Sequence, residues 1–263
     1  FEVLNKEEPV DFADDQWEKL KRILQSGKEN IGMATFYRHY WISKYKKTSS
    51  NRLYEAFLKD VHKKEEDYKS FLKDMVINAE NYRKIVSPTR EDYANRKEYF
   101  SLVQSLNALD NYFNITQVRI ALLSLYDIKS KRLLDLKLLK STILYLENFH
   151  FAYNAICSGR ANKLEKIYSD FAIKLRQQSD KTAIKNMIDK ELISPLEQLF
   201  PTYEEFKSKF VNLTYSKKEN SSNLKTKYVI NKLWCLYEGK ENYADDGSIE
   251  HIYPECKDRI SLN

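Results

Sequence analysis

The residues of this chain with the clearest chemical potential lie near its end, in Ile249-Glu250-His251-Ile252-Tyr253-Pro254. A carboxylate next to an imidazole, flanked by β-branched residues and closed by a proline, supplies two of the groups that phosphodiester hydrolysis needs. One can hold a divalent ion against the scissile phosphate. The other, with a pKa near neutrality, can deprotonate water. Adjacent side chains on a strand face opposite ways, so Glu250 and His251 share a pocket only if the strand is distorted or the pair sits at its end. The Asp246-Gly247 turn before the pair and Pro254 after it favour an end.

The other candidates are weaker. His39, His62 and His150 lie in aromatic, charged and apolar helical surroundings and read as structural. Cys157 and Cys235 read as small buried hydrophobes, and Cys256 alone cannot build a zinc knuckle. Basic residues cluster at Lys44, Lys46, Lys47 and Arg52, at Lys129, Lys131 and Arg132, and at Lys217, Lys218, Lys225 and Lys227. Each cluster reads as a solvated helix end or break. If they converge, they make a phosphate-tracking surface, and the last four are the nucleic-acid candidates.

Helices must position these groups. Glycine and proline together number ten in 263 residues, too few for a turn-rich sandwich or barrel, and charged residues make up 31%. The five glycines never form GxGxxG or GxxxxGK[ST], which excludes Rossmann and P-loop phosphate sites. Apolar spacing is helical from Trp17 onward, with Asp14 or Asp15 as an N-cap, and one long pattern runs from Leu53 to Val76. Thr89 with Asp92 and Thr202 with Glu205 read as capping boxes, each opening a helix. Between Ile115 and Ile156 apolar residues cover nearly every helical face, the mark of helices inside a bundle. The prediction is an all-α, multi-helix bundle of about nine or ten helices.

Character changes after Tyr237. Five lysines against one glutamate between Lys217 and Lys232 give way to one lysine against five carboxylates between Glu238 and Glu250. The expected organisation is a helical domain over residues 1–238 and a new unit, loop then short strand, beginning at 239–263. The net charge of +6 is compatible with a nucleic-acid partner. The three widely spaced cysteines favour a reducing compartment, by default the cytoplasm. No apolar run reaches the ~18 residues of a membrane span, so no membrane partner is expected. The chain opens at Phe1, as expected of a piece of a longer protein.

The E-H-I-x-P string after a helix ending in Leu236-Tyr237-Glu238 resembles the first half of an HNH (ββα-metal) nuclease motif. It is similar to the D-H-I-x-P string of the HNH domains in RNA-guided CRISPR nucleases. More closely, Asn231 to Glu238, the acidic spacer and Ser248 to Pro254 resemble the C-terminal module of GmrSD-type, modification-dependent restriction proteins. Residues Phe149 to Phe171, with the break Ala155 to Gly159, resemble the helical region of those proteins less specifically.

The resemblance implies that His251 is the general base and Glu250 a ligand of a catalytic divalent ion, Mg or Mn. Ile252 and Pro254 are structural, and a truncated ββα unit begins at the C-terminus. It further implies modified DNA as partner, and a nucleotide-dependent N-terminal module of the same protein as the only route to nucleotide use. The Asn and the final His or Asn that complete the family motif lie beyond Asn263, so the site is incomplete within this chain. The alternative is a non-catalytic helical module that binds DNA or docks a subunit.

Overall fold

Apolar residues at three- and four-residue spacing, rarely interrupted by glycine, leave the backbone little alternative to helix. The computed structural model describes residues 12–27, 30–61, 65–160, 162–216 and 220–243, and all regular structure among them is helical. The chain divides into two compact units, Phe1–Asn212 and Leu213–Asn263. In the first, α1 (Phe12–Gln25), α2 (Met33–Lys44), α3 (Leu53–Asp60), α4 (Glu65–Val86), α5 (Phe100–Asn107) and α6 (Val118–Ser130) are followed by α7 (Leu136–His150), α8 (Asn162–Arg176), α9 (Lys181–Met187), α10 (Ser194–Glu197) and α11 (Tyr203–Phe210). The second contains α12 (Asn220–Glu238). The all-α expectation holds, and no strand occurs among the described residues. The short strand and ββα unit expected after Gly247 lie outside them.

Several local expectations change. The long pattern from Leu53 is two helices, because Val61 adopts an extended conformation (φ −98°, ψ 123°) and ends α3. Asp14 and Asp15 sit inside the first turn of α1, where they complement the helix dipole. Thr89 and Asp92 do make the reciprocal pair, Thr89 N–H to Asp92 Oδ2 at 2.9 Å and Asp92 N–H to Thr89 Oγ1 at 3.3 Å. The pair opens only a 3-10 turn at Glu91–Tyr93, and α5 starts later, at Phe100. Thr202 caps α11 as expected, accepting from Glu205 N–H at 3.2 Å. The two compact units divide after Asn212, so α12 lies in the second.

Three π-helical segments, Ala108–Tyr112, Phe151–Ile156 and Ile188–Ile193, continue α5, α7 and α9. The second ends in a tight return: Ser158 takes φ 55°, Gly159 N–H bonds Tyr153 O at 2.7 Å, and a Cβ on Gly159 would lie 2.4 Å from the Tyr153 ring. Only glycine fits there.

α6 forms the centre of the first unit, packed by α8, α2, α4 and α7, and every residue from Ile120 to Ile128 is buried. Burial on all faces includes Asp127, whose carboxylate meets Arg176 Nη1 of α8 at 3.2 Å and Lys131 Nζ at 2.8 Å. Arg176 also donates through Nη2 to Ser43 Oγ of α2 (3.2 Å) and to Asn78 Oδ1 of α4 (2.9 Å). One turn away, Asp74 Oδ2 accepts from Tyr40 OH at 2.6 Å and from Lys44 Nζ at 2.7 Å. Burial pushes the Asp74 carboxyl up, but the Lys44 ammonium and the hydrogen bonds from Lys44 and Tyr40 hold it below the usual carboxylate range.

Removing one member of a buried ion pair strands the other. Arg176→Ala is expected to destabilise the protein by about 3–5 kcal/mol in urea unfolding. Lys166→Ala breaks an exposed α8 pair with Asp170 and is expected to cost under about 1 kcal/mol. Equal losses for the two variants would contradict this assignment.

Candidate nucleic-acid interface

Glu250, His251, Lys217 and Lys218 lie outside the described residues. The helix before the motif is described. α12 ends in a Schellman cap: Gly239 takes φ 62°, Lys240 N–H bonds Cys235 O at 2.9 Å and Gly239 N–H bonds Leu236 O at 3.4 Å. Lys240 Nζ then lies over the Trp234 ring at 4.5 Å. Leu236 and Tyr237 are exposed at the end of the helix. Lys225 and Lys227 both lie on α12, and two residues of helix separate them by about 200°, so they face different sides.

The first basic cluster is the one that gathers. After α2, Trp41 Nε1–H donates to the buried Thr48 hydroxyl at 3.2 Å and the Trp41 ring stacks on Tyr45 at 4.4 Å, which pins the connection back onto α2. A 3-10 turn, Ser50–Arg52, leads into α3. Arg52, the last residue of that turn, and Glu55, Ala56 and Lys59 of α3, with Lys46 and Lys47, line a groove of about 380 Å³.

Four cations and one carboxylate, Glu55, thus line the groove. Lys46 pairs with Asp60, and Lys47 reaches Glu165 of α8 at 3.4 Å, where Arg38 already binds at 2.7 Å. Burial pushes the Glu165 carboxyl up, and the Arg38 hydrogen bond and charge, then Lys47, pull it below the usual range. Arg52 and Lys59 make no ion pair among the described residues. Lys44 turns away to Asp74, and Lys131 of the second cluster to Asp127. Lys59 escaped the sequence grouping, although its seven-residue spacing from Arg52 is the signal that brings it to the same groove.

No family model, curated protein or solved structure matches this chain.

His39 and His150 are structural. His39 Nδ1 and Tyr82 OH are 2.7 Å apart, and burial, then the Arg119 and Arg38 charges, push the imidazole down to about 3. His150 shares hydrogens with Asn154 Oδ1 at 2.6 Å and with Tyr168 OH at 2.7 Å, and burial pushes it down to about 4. His62 lies outside the described residues. Cys157 and Cys235 are free and buried, and burial pushes both thiols up, away from reactivity. Among the described residues no group of three or more His, Cys, Asp or Glu could hold a metal ion. None of their helices is long and apolar enough to cross a membrane.

Both imidazoles are neutral in the fold but protonate near 6.5 once unfolded. Their contribution to stability is therefore complete above pH 6.5 and is lost as pH falls toward about 4 for His150 and about 3 for His39. Each is expected to steepen the fall by up to about 1.4 kcal/mol per pH unit in that window. Urea unfolding of His150→Gln between pH 6.5 and 4.5 should show a shallower fall than wild type. An unchanged slope would contradict the buried neutral assignment.

Proposed function

We propose that this chain is the helical region, with the opening of the HNH nuclease unit, of a modification-dependent DNA restriction protein of the GmrSD type. The observation that carries this reading is the Glu250-His251-Ile252-Tyr253-Pro254 string, set shortly after a helix that stops at Glu238 with a Schellman cap. A firm helix end followed by an acidic stretch of sequence suits a connection to a separate unit. The parent acts as a cytoplasmic hydrolase on modified DNA, and nucleotide use belongs to an N-terminal module of the same protein.

In this reaction the His251 imidazole accepts a proton from water as the water oxygen forms its bond to phosphorus. The P–O bond to the leaving strand breaks, and that oxygen takes a proton from solvent. Glu250 offers a hard carboxylate oxygen, the donor type that Mg²⁺ and Mn²⁺ take, so its chemistry fits the expected ion. When bound, such an ion neutralises charge building on the phosphate.

The second reading, a non-catalytic helical module, is favoured by one observation: the groove of Lys46, Lys47, Arg52 and Lys59 lies wholly within the first unit. Nicking of modified plasmid separates the readings. In the protein carrying the complete motif, His251→Ala is expected to lower the metal-dependent nicking rate by about 10²-fold or more while DNA retention on filters stays unchanged. Undiminished nicking refutes the role of His251 and leaves the non-catalytic module.

A further inference from the structure

We propose that the groove between the α2–α3 connection and α3 binds the phosphodiester backbone of nucleic acid, with Arg52 and Lys59 as its primary phosphate contacts. The inference depends on the nuclease reading only for the identity of the phosphate carrier; the site itself stands on residues of the first unit.

Charge and geometry set the ligand class. The groove presents Lys46, Lys47, Arg52 and Lys59 against Glu55, and Arg52 and Lys59 have no carboxylate partner among the described residues. Lys46 and Lys47 keep 48% and 49% of their side-chain surface in water even with their partners, and Arg52 and Lys59 are exposed. Wet cations on long stems suit a hydrated polyanion whose counterions can be released. They suit an enclosed small ligand poorly.

Placement agrees. Arg52 ends the 3-10 turn directly before α3 and Lys59 lies in the last turn of α3, so the two line the groove from both ends of that helix. A polyanion with one charge per nucleotide can meet both cations at once. Ser49 also lines the groove, and its hydroxyl donates to Asn51 Oδ1 at 2.7 Å. No aromatic ring lines the groove, and Ala56 is its one apolar residue. Nothing there can stack on a base, so recognition is of backbone and independent of sequence.

Fluorescence anisotropy with a fluorescein-labelled 20-base-pair duplex, in EDTA and between 50 and 200 mM KCl, tests this. The full chain, Arg52→Ala/Lys59→Ala and a charge-matched control, Lys185→Ala/Lys190→Ala, are compared, with circular dichroism showing that all three fold. The groove variant is expected to bind at least tenfold more weakly at 50 mM KCl and to lose about 1.8 from the slope of log K against log salt, at about 0.9 per phosphate contact. The control should keep most of both.

Equal losses in the two double variants, unchanged binding in the groove variant, or binding of inorganic pyrophosphate with none of the duplex each overturn the proposal. Because EDTA removes any need for the metal, the two readings fail separately. Nicking indifferent to His251 beside a lost groove affinity removes the nuclease and keeps the groove, and the converse removes the groove.

Discussion

A guanidinium taken out of water must find several acceptors at once, and Arg176 finds them on three other helices: Asp127 on α6, Ser43 on α2 and Asn78 on α4. Stripping hydration from this arginine and from Asp127 costs several kcal/mol per ion, a deficit that only good geometry on both sides can offset. The leucines and isoleucines around them are less demanding. Apolar surfaces tolerate sliding by a turn, with another methyl group taking the place of the first, whereas a hydrogen-bonding fork does not. The register of α2, α4, α6 and α8 is therefore set at this point. Asp74, Tyr40 and Lys44 repeat the arrangement one turn along α2 and α4.

The basic groove inherits its position from that centre. α2 runs from Ser43 and Lys44, which belong to the buried network, into the connection that Trp41 and Thr48 hold down. α8 carries Arg176 toward its end and Glu165 near its start, so the helix that supplies the buried arginine also anchors Lys47 through Glu165. Ser169 adds a tie between the two helices, its hydroxyl donating to Ile42 O at 3.2 Å. The rigid interior thus fixes one wall of the groove, and the exposed face of α3 forms the other.

Helix content was legible because it rests on local periodicity and on scarce glycine, and the buried α6 was legible because its apolar residues leave no polar face. Thr202 could be read as a cap from its own spacing. The Thr89 pair could be read as well, but what it caps depends on backbone some residues on, and spacing alone does not distinguish a 3-10 turn from the start of a helix. The split at Val61 and the unit boundary near Asn212 depend on tertiary packing, which periodicity does not carry.

Arg176 was invisible for a similar reason. An arginine in the last turn of a helix has the usual signature of a solvated, dipole-complementing residue, and only the arrival of Asp127, 49 positions earlier in the chain, makes it interior. The groove was half legible: Lys46, Lys47 and Arg52 stand close in sequence, but Lys44, equally close, spends its charge on Asp74. For Glu250 and His251 the sequence remains the whole of the argument.

A double-mutant cycle on Asp127 and Arg176 tests the buried ion pair most directly. Urea unfolding of wild type, Asp127→Asn, Arg176→Met and the double variant yields the coupling between the two side chains free of their separate losses. A coupling of about 1.5 kcal/mol or more is predicted for a buried, hydrogen-bonded pair. Additive losses within about 0.5 kcal/mol would mean that the two charges do not depend on each other, and that the helices take their register from apolar packing alone.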